Sequence, residues 1–200
     1  MGPMTNPATP PDMHDRLPPL AREQMDAAQR AAADELIAGP RKGVKGPFIA
    51  LLRSPELLAR AQKVGEYLRF NSALPSRLSE FATLVVSRAW TQQFEWSVHV
   101  PLALKAGTSL ATIAALREGR RPAEASDDEA LVYDFATELM AHHGVDDDTY
   151  ARCVKRLGEH GTIDLVSTIG YFVWISMVLN VAHTPGDAPE GVGALPPLPR

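Results

Sequence analysis

The chain has one cysteine in 200 residues, Cys153, and no C-x-x-C. No intrachain disulfide can form, and a cysteine-based zinc site is excluded. Clustered positive charge is missing too. Twenty Lys and Arg stand against 24 Asp and Glu, for a net charge of −4, with no basic run and no acidic tail. Nucleic acid is therefore not the expected partner, because phosphate binding needs grouped cations. The G-x-x-x-x-G-K-[ST] spacing that cradles nucleotide phosphates is absent. Met1 to Leu20 has no basic segment followed by an apolar one, so no signal peptide is expected and a cytoplasmic protein is. The longest apolar stretch, Ile163 to Ala182, carries Asp164, Ser167, Thr168, Gly170, Ser176 and Asn180. Its purely apolar part is shorter than the roughly 20 residues of a membrane span, so it reads as a buried core or interface helix.

Alternating strand patterns and internal repeats are also lacking, and what remains is helical. Ala21 to Ala38 reads as a helix stopped by Gly39-Pro40. A basic, Gly-rich loop follows over Arg41 to Pro47. Ser54-Pro55-Glu56 starts a helix to about Phe70, whose apolar stripe is Leu57, Leu58, Ala61, Val64 and Leu68. Pro75 opens another to about Trp90, and Gln93 to Ala106 is the next, with Pro101 expected to kink it. Ser109 caps a short helix. Ser126 and Glu129 make a capping box for a helix that ends at Gly144. Asp147 to His160 and Thr162 to Val181 complete an all-α fold of about eight helices. Residues 1–20 are expected as a flexible Pro-rich arm, 21–183 as the folded domain, and 184–200 as a flexible Pro-rich tail.

The segment Glu80 to Gly107 carries the chemistry. Glu95 and His99 are four apart, so on a helix they share one face, and Glu80 lies on the preceding helix. Three readings follow from the residues. His99 moves a proton while the carboxylates orient it. Alternatively, Glu95, His99 and Glu80 ligate a metal. Or the three are structural charges paired beside Arg77 and Arg88. His142 and His143 sit at a helix end, where a cation suits the dipole. Tyr171 and Trp174 read as core, and Lys42 and Lys45 as a solvated loop that could attract an anion.

The order Glu80, Glu95-Trp96, His99, Pro101-Leu102-Ala103, Ala106-Gly107 resembles the carboxymuconolactone decarboxylase family, which includes AhpD-like alkylhydroperoxidases. Gly46-Pro47-Phe48, Ser54-Pro55-Glu56-Leu57-Leu58, Leu68-Arg69, Tyr133 to Leu139, Leu157-Gly158 and Tyr171 extend the resemblance over roughly residues 40–180. It implies the AhpD-like helical fold and a homo-oligomer, a trimer or hexamer. It also implies that the two cysteines of the peroxidase branch fall on Gln92 and Glu95, with the histidine on His99 and an upstream acid on Glu80. Without those thiols, thiol peroxidase chemistry is excluded, because the thiolate is the nucleophile. The resemblance favours the decarboxylase branch. That branch implies a cofactor-independent, metal-free lyase acting on a small acidic lactone or ring-cleavage substrate of aromatic catabolism. His99, Glu95 and Glu80 would be catalytic. Arg88 or Lys45 would meet the substrate carboxylate, with Gln92, Trp96 and Tyr171 as further contacts. The alternative is a non-catalytic or metal-binding oligomeric protein on the same fold.

Overall fold

The computed structural model describes residues 14–197, all of its regular structure helical. The first thirteen residues of the expected arm lie outside the described residues. After a short 3-10 turn at Arg22–Gln24 come α1 (Ala27–Ala38), α2 (Pro47–Leu51), α3 (Pro55–Phe70), α4 (Ser76–Ala89), α5 (Gln93–Lys105), α6 (Leu110–Arg117), α7 (Asp127–His142) and α8 (Asp147–Ala182). Eight α-helices match the sequence expectation, but the tally arises differently. The five-residue α2 sits where the sequence suggested no helix. The two expected C-terminal helices are both present and meet at a kink at Gly158, where φ is 70° and ψ 171°; together they are numbered α8.

The helix ends follow the local chemistry. Ser109 accepts from the Thr112 N–H, and Ser126 and Glu129 complete the expected box. Ser54 occupies the N-cap position without a side-chain capping bond, so Pro55 at the first turn carries that start. α5 continues through Pro101, which withholds the single N–H that would have met the Ser97 carbonyl.

The α4 helix lies at the centre, packed on α5, α7 and α8. Phe81, Leu84, Val86, Trp96, Val132, Phe135 and Leu165 are fully enclosed there. A second core joins α1, α2 and α3 to the end of α8 through Leu36, Phe48, Leu52, Leu58, Ile175 and Leu179. Each such side chain contributes about 1.5–3 kcal/mol relative to exposure. The buried face of α3 is Leu58, Ala61, Gln62, Gly65 and Leu68, while Leu57 and Val64 of the expected stripe face outward. By length and composition alone, α8 is long and apolar enough to cross a membrane. Leu165, Ile169, Ile175 and Leu179 nevertheless belong to the two cores.

The C-terminal segment corrects the expectation of a free tail. Residues 184–197 run back across α5, α4 and α6. The Trp96 indole N–H donates to the Gly193 carbonyl at 3.2 Å, and the Leu195 N–H donates to Gln93 at 2.9 Å. Arg88 and Arg117 donate to the carbonyls of Pro196 and Ala194 at 2.6 and 2.7 Å. The segment makes a turn in which the Val192 and Gly193 N–H groups meet the Pro189 carbonyl, and these side chains satisfy the carbonyls beyond it. At the other end, the Arg16 N–H donates to the Ala182 carbonyl at 2.8 Å.

Candidate active site

The site is built on the hairpin of α4 and α5. The connection between them is so short that Thr91, a β-branched residue, takes a left-handed φ of 45°. Asn180 of α8 braces this turn, donating to the Trp90 carbonyl and accepting from the Gln92 amide, each at 3.1 Å. The Gln92 side chain in turn caps α5 by accepting from the Glu95 N–H at 3.0 Å. That fixes Glu95 in the first turn of α5, with His99 one turn further on.

Glu80 of α4 and Glu95 of α5 grip the imidazole of His99 from opposite sides. His99 Nδ1 lies 2.6 Å from Glu80 Oε2, and its Nε2 lies 3.3 Å from Glu95 Oε2. Phe172 meets the ring edge-on, with centroids 5.1 Å apart. All three ionisable side chains are largely withdrawn from solvent. Burial opposes the charged ring, but the hydrogen bonds to Glu80 and Glu95 and their negative charge outweigh it. The His99 pKa is pushed up to about 9. At neutral pH the ring is an imidazolium with both N–H groups engaged. It is therefore a proton donor held in one orientation.

Glu95 and His99 both line a cleft of about 460 Å³, while Glu80 stands behind His99, away from it. The cleft walls are mainly apolar and include Phe48, Phe94, Val98 and Phe172. Lys45 and Tyr171, expected as substrate contacts, line it too. Three other expected contacts do not. Arg88 points to a smaller cavity of about 140 Å³ beside Gly119 and spends its guanidinium on the Pro196 carbonyl. Trp96 is fully enclosed in the core and bonded to Gly193. Gln92 is consumed in capping α5 and bracing Asn180. Arg77, named as a structural partner for the acids, instead reaches Ser126 and Glu129.

Arg41 was missed as a cleft cation, although the loop that opens with it stood out for its basic residues and glycines. It lines the cleft with its guanidinium 4.4 Å above the Phe48 ring.

A metal finds no common donor point in this arrangement. The two carboxylates address opposite ring nitrogens, and among the described residues no group of three or more His, Cys, Asp or Glu has metal-holding geometry.

Residues 55–138, which hold Glu80, Glu95 and His99, match the carboxymuconolactone decarboxylase family. No curated protein sequence matches the chain. Among solved structures, the chain is similar to an alkylhydroperoxidase AhpD core, described as an uncharacterized peroxidase-related protein from Ralstonia eutropha JMP134. The identity is 15%, the TM-score 0.67, and the likeness covers 86% of this chain and 92% of that one. At that identity the likeness establishes the fold alone. Residues 55–138 thus resemble the carboxymuconolactone decarboxylase family, and the chain has the AhpD-like fold.

Proposed function

We propose that the protein is a cofactor-independent acid/base enzyme of carboxymuconolactone decarboxylase type, acting on a small acidic ring compound. The observation that carries this reading is the His99 imidazolium, held between Glu80 and Glu95 on the wall of an apolar cleft. In a decarboxylation the bond between the carboxylate carbon and its neighbour breaks. Carbon dioxide leaves, and the electron pair stays behind as a carbanion or dienolate. His99 delivers the proton that quenches it, Glu80 steadies the charged ring from behind, and Glu95 shares the proton on the cleft side. The dry walls strengthen each of these charge interactions.

The decisive assay measures carbon dioxide release from carboxymuconolactone by the wild type and by His99→Ala. Loss of about 10²-fold or more in the variant is expected for a positioned acid/base. Equal turnover by both removes His99 from the reaction. Failure of the wild type to release carbon dioxide removes this substrate and this reaction.

A second reading has its own observation. All three ionisable groups are paired with one another, which also suits a binding protein that kept the fold. Under that reading, no proton exchange of a bound cyclic acid depends on His99, and deuterium incorporation from heavy water would be the same in wild type and His99→Ala.

We also propose self-association along α8. Ile163, Val166, Met177 and Val181 are exposed at helical spacing with Gly170 between them, and Ile163 and Val181 are 63% and 66% exposed. An apolar stripe of that length on a helix is usually covered by a partner.

A further inference from the structure

Arg41, Lys45 and Arg69 all line the cleft, but in different settings. Lys45 and Arg69 are exposed, whereas Arg41 is drawn in against Phe48. Burial pushes its pKa down, and the charges of Glu66 and Glu95 act on it without a salt bridge among the described residues. Its Nε is buried with no hydrogen-bond partner among the described residues, and the same holds for the Tyr171 hydroxyl. Burial also pushes Tyr171 up to about 12, so it stays a neutral donor across the physiological range.

The Tyr171 hydroxyl and the Nη2 end of the Arg41 guanidinium flank one point. It is the place where Gly65 would carry a Cβ, closer than 3.0 Å to both the Tyr171 oxygen and Arg41 Nη2. Gly65 is thus the space that lets a guanidinium and a phenol approach each other in an apolar wall. Buried donors without acceptors cost free energy, which an incoming anion would recover. A guanidinium fork with a neutral hydroxyl carries one positive charge in a planar array. That suits the two coplanar oxygens of a carboxylate better than a tetrahedral dianion.

We propose that Arg41 and Tyr171 form a carboxylate-binding subsite that anchors a flat cyclic or aromatic acid, with its ring between Phe48, Phe94 and Phe172. The reacting carbon then lies toward His99 and Glu95, and this orientation rests on the acid/base reading above. A carboxylate paired with a guanidinium is stabilised as an anion, so the anchored group is not the one that leaves. The substrate class is a ring compound bearing an acidic group apart from its reacting centre. Both anchor residues lie outside the family-matched segment 55–138, so the subsite is a property of this chain's flanking elements.

Calorimetric titration of the full chain tests this, with benzoate, its neutral isostere benzamide, and inorganic phosphate as probes. Benzoate is expected to bind the wild type at least about tenfold more tightly than benzamide, as a charge-assisted bidentate pair should. Arg41→Met is expected to bring that ratio to about one. Arg41→Lys, which keeps the charge but loses the fork, lowers it in a variant with little change in volume. Tyr171→Phe reduces it by several-fold. Equal affinity for benzoate and benzamide, binding of neither, tighter binding of phosphate, or an undiminished ratio in both Arg41 variants overturns the subsite. A ratio that depends on Arg41 in a protein that turns over no cyclic acid sinks the lyase reading and leaves the subsite standing. Turnover without that ratio does the reverse.

Discussion

His99 Nδ1 and Glu80 Oε2 stand 2.6 Å apart across the α4–α5 hairpin, on the side of the ring away from the cleft. Glu80 therefore acts on the chemistry through His99. Glu80→Gln is expected to lower the His99 pKa from about 9 toward its ordinary 6.5, read by NMR titration of the ring nitrogens. The raised value is also a stability contribution. It is fully present below pH 6.5 and lost as pH rises through about 9. Wild-type unfolding free energy in urea should fall by a few kcal/mol across that window, since each pKa unit is worth about 1.4 kcal/mol. The same curve for Glu80→Gln should be flatter, and parallel curves would show that the pair does not hold the proton.

Gly65→Ala should close the far end of the cleft. The added methyl would press on Tyr171 and Arg41, and overpacking of this kind costs about 1–3 kcal/mol. Thermal unfolding measures that cost. Loss of benzoate binding in the folded variant measures the blocked space, and unchanged binding would mean that the donors do not meet there.

The α4–α5 hairpin was readable from sequence because its signals are local. Glu95 and His99 share a face by spacing alone, and the break before Gln93 places Glu80 on the neighbouring helix. Arg88 was not readable. A charged residue on an apolar helix invites a substrate role, yet its partner is the Pro196 carbonyl, 108 positions away. Trp96 is hidden for the same reason, its indole bonding to Gly193 across 97 positions. Arg41 and Tyr171 look ordinary in their own segments, and they become a pair only where Gly65 leaves room between α3 and α8. The short α2 escaped notice because five residues are too few to show a helical period.

Gly186→Ala should loosen the C-terminal segment. A Cβ there would come 2.5 Å from Phe94 Cα, which is backbone and cannot step aside. A destabilisation of about 1–3 kcal/mol in urea unfolding is expected. Faster amide exchange at Gly193 and Leu195 should accompany it. Unchanged exchange would mean that the segment is not held at this point.

Ile163→Lys and Met177→Lys place charges on the exposed stripe of α8. Light scattering at micromolar concentration should show an oligomer for the wild type and a smaller species for the double variant. A wild-type monomer would contradict association through this face.

The strap formed by residues 184–197 also has a temporal meaning. The helices bearing Glu80, Glu95 and His99 leave the ribosome before the backbone that bonds the start of α5, at Asp187, Gly193 and Leu195. Phe172, which braces the imidazole, also follows His99 by about 70 residues. Synthesis from the N-terminus thus lays down the proton-bearing groups long before the pieces that hold them in register. The hairpin is then braced only when residues 187–195 return to α5.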